Sequence, residues 1–169
     1  MKRILSLCLL AALAGALLSG CSQESGGREY QVYYRNLAAV DAAGAQGALV
    51  GEPHTLDPQA DQVEELLALV MAQPQKESLA SAIPQGVSLR KWTLNNGLLT
   101  VDFSSGYGSL SGVELTLADY SVVLTLSQLE GVETVMITAG GEMLSYRDHQ
   151  RMTPEDALEL VTSGKAPGN

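Results

Sequence analysis

The sequence predicts an α+β fold, a small mixed β-sheet with two amphipathic helices packed on one face, and three stretches carry that expectation. Glu29 to Arg35 alternates, with Tyr30, Val32 and Tyr34 on one face and Gln31, Tyr33 and Arg35 on the other. Val63, Leu66, Leu67, Val70 and Met71 recur at the spacing of a single helix face. Asn95-Asn96-Gly97 separates two strand-like runs, and Asn-Gly supplies the positive φ angles that a tight hairpin turn requires.

Each element follows in order. The alternation makes Glu29 to Arg35 a half-buried strand. Asn36 to Gln46 is rich in Ala, Gly and Asp without a period and is expected to be a loop. Ala48 to His54 predicts a short second strand stopped near Pro53. Asp57-Pro58 is a helix start, Asp as N-cap and Pro at the first helical position, and Pro74 ends that helix. Val87 to Leu94 and Leu98 to Phe103 form the hairpin, with Leu99, Val101 and Phe103 inward and Thr100 and Asp102 outward. Leu115 to Leu129 is long enough for a helix and carries Leu115, Ala118, Val122, Leu126 and Leu129 at helical spacing. Leu117, Tyr120, Val123 and Leu124 widen its apolar arc beyond what one sheet face needs, so a second cover is expected. That cover is either the C-terminal segment around Leu158 and Val161 or another molecule. Val132 to Thr138 is a further strand, turning at Gly140-Gly141 toward Met143-Leu144. Thr153-Pro154-Glu155-Asp156 opens a short last helix with a capping hydroxyl and acids in its first turn.

The N-terminus is processing signal. Lys2 and Arg3 precede an apolar run from Ile4 to Leu18, about fifteen residues, against the roughly 20 that a membrane-spanning helix needs. Leu18-Ser19-Gly20-Cys21 looks like a bacterial lipobox, in which small residues admit the signal peptidase and the Cys21 thiol takes the lipid. The expected organisation is a signal peptide over 1–20, lipidated Cys21 and a flexible tether over 21–28, one domain over 29–162 and a tail over 163–169. Cell-membrane anchoring at the extracytoplasmic face then rests on the acyl chains of Cys21, palmitate among them, since two or more chains bind stably where one does not.

Composition narrows the function. Ten basic against 19 acidic side chains give a net charge of −9, and loss of Lys2 and Arg3 leaves eight against 19, a net of −11. Nucleic-acid binding is excluded, because affinity for phosphate needs clustered cations. Only 5% of residues are aromatic, too few for a carbohydrate platform of several rings. His54 and His149 stand in unrelated contexts with no nearby ligand partner, so no metal and no cofactor are expected. Gly106-Tyr107-Gly108-Ser109-Leu110-Ser111 invites comparison with the dinucleotide fingerprint. It lacks the third glycine, and the strand before it belongs to a hairpin rather than a parallel βαβ unit. No serine sits in a nucleophile elbow. Trp92, on one strand face with Arg90 and Leu94, is either a core residue or one anchor of a protein interface. Tyr120 and Val123 are the other candidate interface residues.

Five stretches resemble the GerMN domain of sporulation and spore germination lipoproteins. They are Val32-Tyr33-Tyr34, Leu49-Val50-Gly51-Glu52-Pro53, Ser81-Ala82-Ile83-Pro84-Gln85-Gly86, Asn96 to Ser104, and Thr125-Leu126 with Gly131 to Ile137. The chain departs from the family pattern at Gln73-Pro74, where Gly-Pro is common, and at Leu124, where Asn often precedes Thr-Leu. The resemblance implies a non-enzymatic domain in protein assembly at the outer face of a membrane, with envelope or sporulation proteins as partners. It is similar to ring-building domains, so homo-oligomers are among the assemblies it implies. The alternative is an envelope module for a cell-wall or small ligand, which a pocket lined by Tyr33, Tyr107 or Trp92 would favour.

Overall fold

The computed structural model describes residues 27–38, 47–147, 149–157 and 161. The expected signal peptide, Cys21, most of the expected tether and the whole expected 163–169 tail lie outside these residues, as do Leu158 and positions 39–46 of the expected loop.

Strand β1 (Glu29–Asn36) buries Tyr30, Val32 and Tyr34 as its alternation requires. It pairs antiparallel with β2 (Leu49–Thr55) and, at Arg35 and Asn36, with β3 (Leu79–Ala80). Pro53 does not stop β2 but lies inside it, opposite Gln31. The Gln31 N–H donates to the Gln128 side chain, away from β2, so Gln31 and Pro53 form a pair without ladder bonds. The missing Pro53 N–H therefore faces the outer edge, where no ladder bond is lost.

Helix α1 (Gln62–Met71) buries Val63, Leu66, Leu67 and Val70. Its N-cap is Asp61 and not Asp57, because the Asp61 carboxylate accepts the Glu64 N–H at 3.0 Å. Asp57 instead closes a turn of its own by accepting the Gln59 N–H at 2.8 Å. The helix ends at Met71, capped by Ala72, before Pro74 is reached. Ser81 ties that end down: its hydroxyl donates to the Val70 carbonyl and accepts the Ile83 N–H.

The hairpin forms as expected from β4 (Leu89–Asn95) and β5 (Leu98–Phe103), with Asn96 at φ 49° and Gly97 at φ 78°. A 3-10 turn (Ser105–Ser109) leads into α2 (Gly112–Leu126), and β6 (Thr134–Ala139) returns parallel to β5. This corrects the expectation that β5 is no part of a βαβ unit: it is at once a hairpin arm and the first strand of β5–α2–β6. Strands β7 (Glu142–Met143) and β8 (Arg151–Met152) both pair with β6, and a 3-10 turn (Pro154–Ala157) follows. Thr153 opens that turn by donating its N–H to Asp156.

The fold is α+β, and its strands divide into two sheets, β2-β1-β3 and β4-β5-β6-β7. Thr125 in the last turn of α2 and Gln128 just beyond the helix take the edge of β1 that a further strand would need. The Tyr33 N–H donates to the Thr125 hydroxyl at 3.0 Å, and the Gln31 N–H donates to Gln128 Oε1 at 2.9 Å. Gln128 Nε2 returns a bond to the Gln31 carbonyl at 2.7 Å, so one side-chain amide stands in for a peptide of a neighbouring strand.

Helix α2 is thereby the centre of the molecule. Ten of its 15 residues are buried, including everything from Ser121 to Leu126. One core joins Val32, Leu67, Val101, Val122 and Ile137 across both sheets and both helices. A second, smaller core holds Leu117 and Leu124 against Leu49 and Ala157, with Val161 packed on it. The extra apolar arc of α2 is thus covered from within the chain. Leu124, at the position where the sequence departs from the pattern it resembles, is one of the four buried residues of this smaller core.

Tyr34 is buried beneath α1 and donates to the Leu69 carbonyl at 3.0 Å. Burial, with the nearby Glu52 carboxylate adding to it, pushes its phenol up to about 12. The folded chain then holds this proton more tightly than the unfolded chain, whose tyrosines titrate near pH 10. Stability is expected to fall as pH rises from about 10 toward 12, and Tyr34→Phe should flatten the fall. Denaturant midpoints between pH 9 and 12 check this, and equal slopes for the two proteins would contradict it.

Candidate interaction surface

The residues that resemble catalytic groups satisfy one another inside the fold. Asp119, the one charged side chain in the apolar heart of α2, is 3% exposed. Its carboxylate accepts from Arg147 Nε at 2.9 Å and Nη2 at 2.7 Å, and from the Tyr107 hydroxyl at 2.7 Å. Arg147 spends its other amino group on the Ile137 carbonyl at 2.8 Å. Tyr107 is fully buried and stacks on Phe103, with ring centres 4.9 Å apart. Burial raises the Asp119 carboxyl while Arg147 and Tyr107 pull it down, and burial beside Asp119 raises the Tyr107 phenol far above its ordinary value. The arrangement pins the segment after β7 onto α2.

Asp102 plays the same part in the second sheet. It was expected to face solvent, yet it is 1% exposed. The β-bulge between Leu89 and Lys91 leaves Arg90 without a partner in β5, and its guanidinium reaches the Asp102 carboxylate at 2.7 Å. Asp102 also accepts from the Thr138 hydroxyl at 2.8 Å and the Gly141 N–H at 2.7 Å. One carboxylate thus joins β4, β5, β6 and the turn into β7.

The candidates from sequence are dispersed. Val123 is fully buried in the main core and has no surface to offer a partner, which corrects its choice as an interface residue. The expectation failed because the apolar arc of α2 is covered by the chain itself. Tyr120 is half-buried and lines a cleft of about 330 Å³ with Gly112, Tyr146, Arg147 and His149. Trp92 lines a separate groove of about 260 Å³ with Val63, Leu94, Leu129 and Val132, rimmed by Asp61 and Glu130. Tyr107 is in the core and Tyr33 packs on the smaller one, so of Tyr33, Tyr107 and Trp92 it is Trp92 that walls a groove, the feature expected of a ligand module. Gly106 to Ser111 forms the 3-10 turn and the α2 N-cap, and Tyr107 within it is the core residue just described. His54 lies 3.9 Å from Glu52 under α1, whereas His149 is exposed by α2. Among the described residues, no three His, Cys, Asp or Glu side chains group closely enough to hold a metal. Among them too, no helix is long and apolar enough to cross a membrane.

The geometry defines a class first: a small α+β domain whose polar network is structural and whose sequence motifs sit in turns and core strands. The model of the Germane family, described as sporulation and spore germination, matches residues 31–145, and the chain belongs to that family. The first GerMN domain of the sporulation protein GerM from Bacillus subtilis has the same fold, with a TM-score of 0.58 at 14% identity. The match covers 75% of this chain and 98% of that one. The tandem GerMN domains of the same protein match with a TM-score of 0.56 at 21% identity, covering 73% of this chain and 43% of theirs. No curated protein matches the chain in sequence.

Proposed function

We propose that the chain is a lipoprotein of the extracytoplasmic membrane face, held there by acylated Cys21. Its GerMN domain acts without catalysis, in protein assembly linked to sporulation or spore germination. The observation that carries this reading is the use made of the family motifs. Ser81 and Ile83 fasten α1, Glu52 accepts the Gln75 N–H beneath it, and Asp102 joins four segments of the second sheet. Motif residues spent on the fold leave the surface to do the work, and surfaces act by binding. In an acidic chain, adhesion to anionic head groups is disfavoured, so the acyl chains must supply the anchoring.

Replacing Cys21 by Ala is expected to leave an unprocessed or released protein. Mass spectrometry of the membrane fraction checks the anchor, and a wild-type chain that carries no lipid would contradict it. The second reading, an envelope module for a cell-wall or small ligand, draws on the 330 Å³ cleft beside Tyr120, whose volume is at the lower end for ligand pockets. Three of the five N–H donors of its Arg147 are engaged by Asp119 and Ile137, so most of that side chain serves the fold, in keeping with the assembly reading.

A further inference from the structure

We infer that the second half of β4, Trp92 to Asn95, receives an extended segment of a partner protein whose groove-facing side carries basic as well as apolar residues. The inference rests on the assembly reading and gives the partner a chemistry.

The other sheet edges among the described residues are blunted. β2 has Pro53 in its middle and a bridge from Leu49 to Val161 at its start, while β3, β7 and β8 are two residues long. The first half of β4 is guarded by its bulge and by Arg90 and Lys91, charges of the kind that discourage strand addition. The second half has no such guard. In a hairpin with a two-residue turn, the flanking residues Asn95 and Leu98 form a hydrogen-bonded pair, and the pairs alternate from there. Thr93 therefore bonds to Thr100, and the backbone groups of Trp92 and Leu94 point to the open edge. Neither has a backbone hydrogen-bond partner outside the ladder among the described residues.

The side chains agree with the backbone. Trp92 is paired with Val101 and Leu94 with Leu99, both core residues, so Trp92 and Leu94 share the apolar side. Leu94 is nonetheless 38% exposed, and with Trp92 it walls the 260 Å³ groove. An added strand would place alternate side chains in that groove while its main chain bonds Trp92 and Leu94. Charge selects the occupant. Asp61 and Glu130 rim the groove, and Glu133 lies against the turn, where a Cβ on Gly97 would come within 2.7 Å of its carboxyl carbon. A second copy would bring the same three acids against them. A basic segment would not.

Trp92 is the sole tryptophan, so its emission reads the groove directly. The full chain in nonionic micelles is titrated with a ten-residue peptide in which threonine alternates with valine or lysine, so that valine and lysine share one face, and in parallel with the same peptide carrying glutamate for lysine. The lysine peptide should give a saturable blue shift, and the glutamate peptide should bind at least about tenfold more weakly. Leu94→Pro removes an N–H that β5 does not use and should abolish the shift. Glu130→Lys, at the groove rim and clear of both the ladder bonds and the Asp61 cap, should cut the preference for the lysine peptide severalfold and guards against a Leu94→Pro chain that fails to fold. No shift, equal binding of both peptides, or a blue shift on concentrating the protein alone would overturn the inference. So would native-membrane crosslinks to partners at other exposed positions with none at β4, a result that leaves the assembly reading standing.

Discussion

Asp119→Ala is expected to destabilise the domain by about 3–5 kcal/mol, the largest effect of any single polar substitution in it. The substitution leaves the Arg147 side chain, 6% exposed, as a buried cation with only the Ile137 carbonyl as acceptor, and it strips the Tyr107 hydroxyl of its partner. Burial of an unpaired charge costs far more than the pair itself contributes. Asp119→Ala with Arg147→Met should therefore recover much of the loss, because no charge is then stranded. Urea midpoints of the two single variants and the double variant measure the coupling. A double variant as unstable as both losses summed would mean that the pair is not closed in solution.

Leu67→Ala is expected to cost about 2–5 kcal/mol. Leu67 is fully buried, and it shares one core with Val101 and Ile137, which are fully buried too. The site is enclosed by both helices and both sheets, so it cannot collapse onto the missing methyl groups without moving several elements. The value should therefore fall in the upper half of the range. A midpoint unchanged from wild type would show that α1 is not docked on this core.

The elements whose signal is local were legible in the sequence. Tyr30, Val32 and Tyr34 alternate into one core, the α1 stripe is buried at Val63, Leu66, Leu67 and Val70 and partly so at Met71, and Asn96-Gly97 turns the hairpin. Signals that depend on a distant partner were not. Pro53 looks like a strand breaker until β2 is known to be an edge, where its lack of an N–H costs nothing. Asp102 has the pattern of an outward residue, and only the bulge at Arg90 and the turn at Gly141 explain why it is buried. Asp57 and Asp61 are equal as caps by composition, and the carboxylate that meets the Glu64 N–H decides between them. The division into two sheets was beyond reach, because it depends on Gln128 and Thr125 acting as strand substitutes more than 90 positions from β1.

One buried group did leave a trace in the sequence. Asp119 is the only charged residue between Leu115 and Leu129, inside a run apolar on nearly all sides. A charge so placed is buried only if paired, so a cation elsewhere in the chain was implied. Arg147 in its polar run was one of the few available. The same wide arc suggested Val123 as an interface residue, and there the inference failed. Apolar surface on a helix says that a cover exists and does not say whose it is.

The most direct test of an assembly role is photo-crosslinking in the native membrane from probes at exposed positions on separate elements, Gln59, Gln85, Leu94, Val113 and Met143. The expected result is discrete adducts with envelope proteins from a subset of these positions, Leu94 among them, and impaired sporulation or germination when the chain is deleted. Adducts to lipid alone at all five positions, with sporulation and germination unchanged by the deletion, would contradict it.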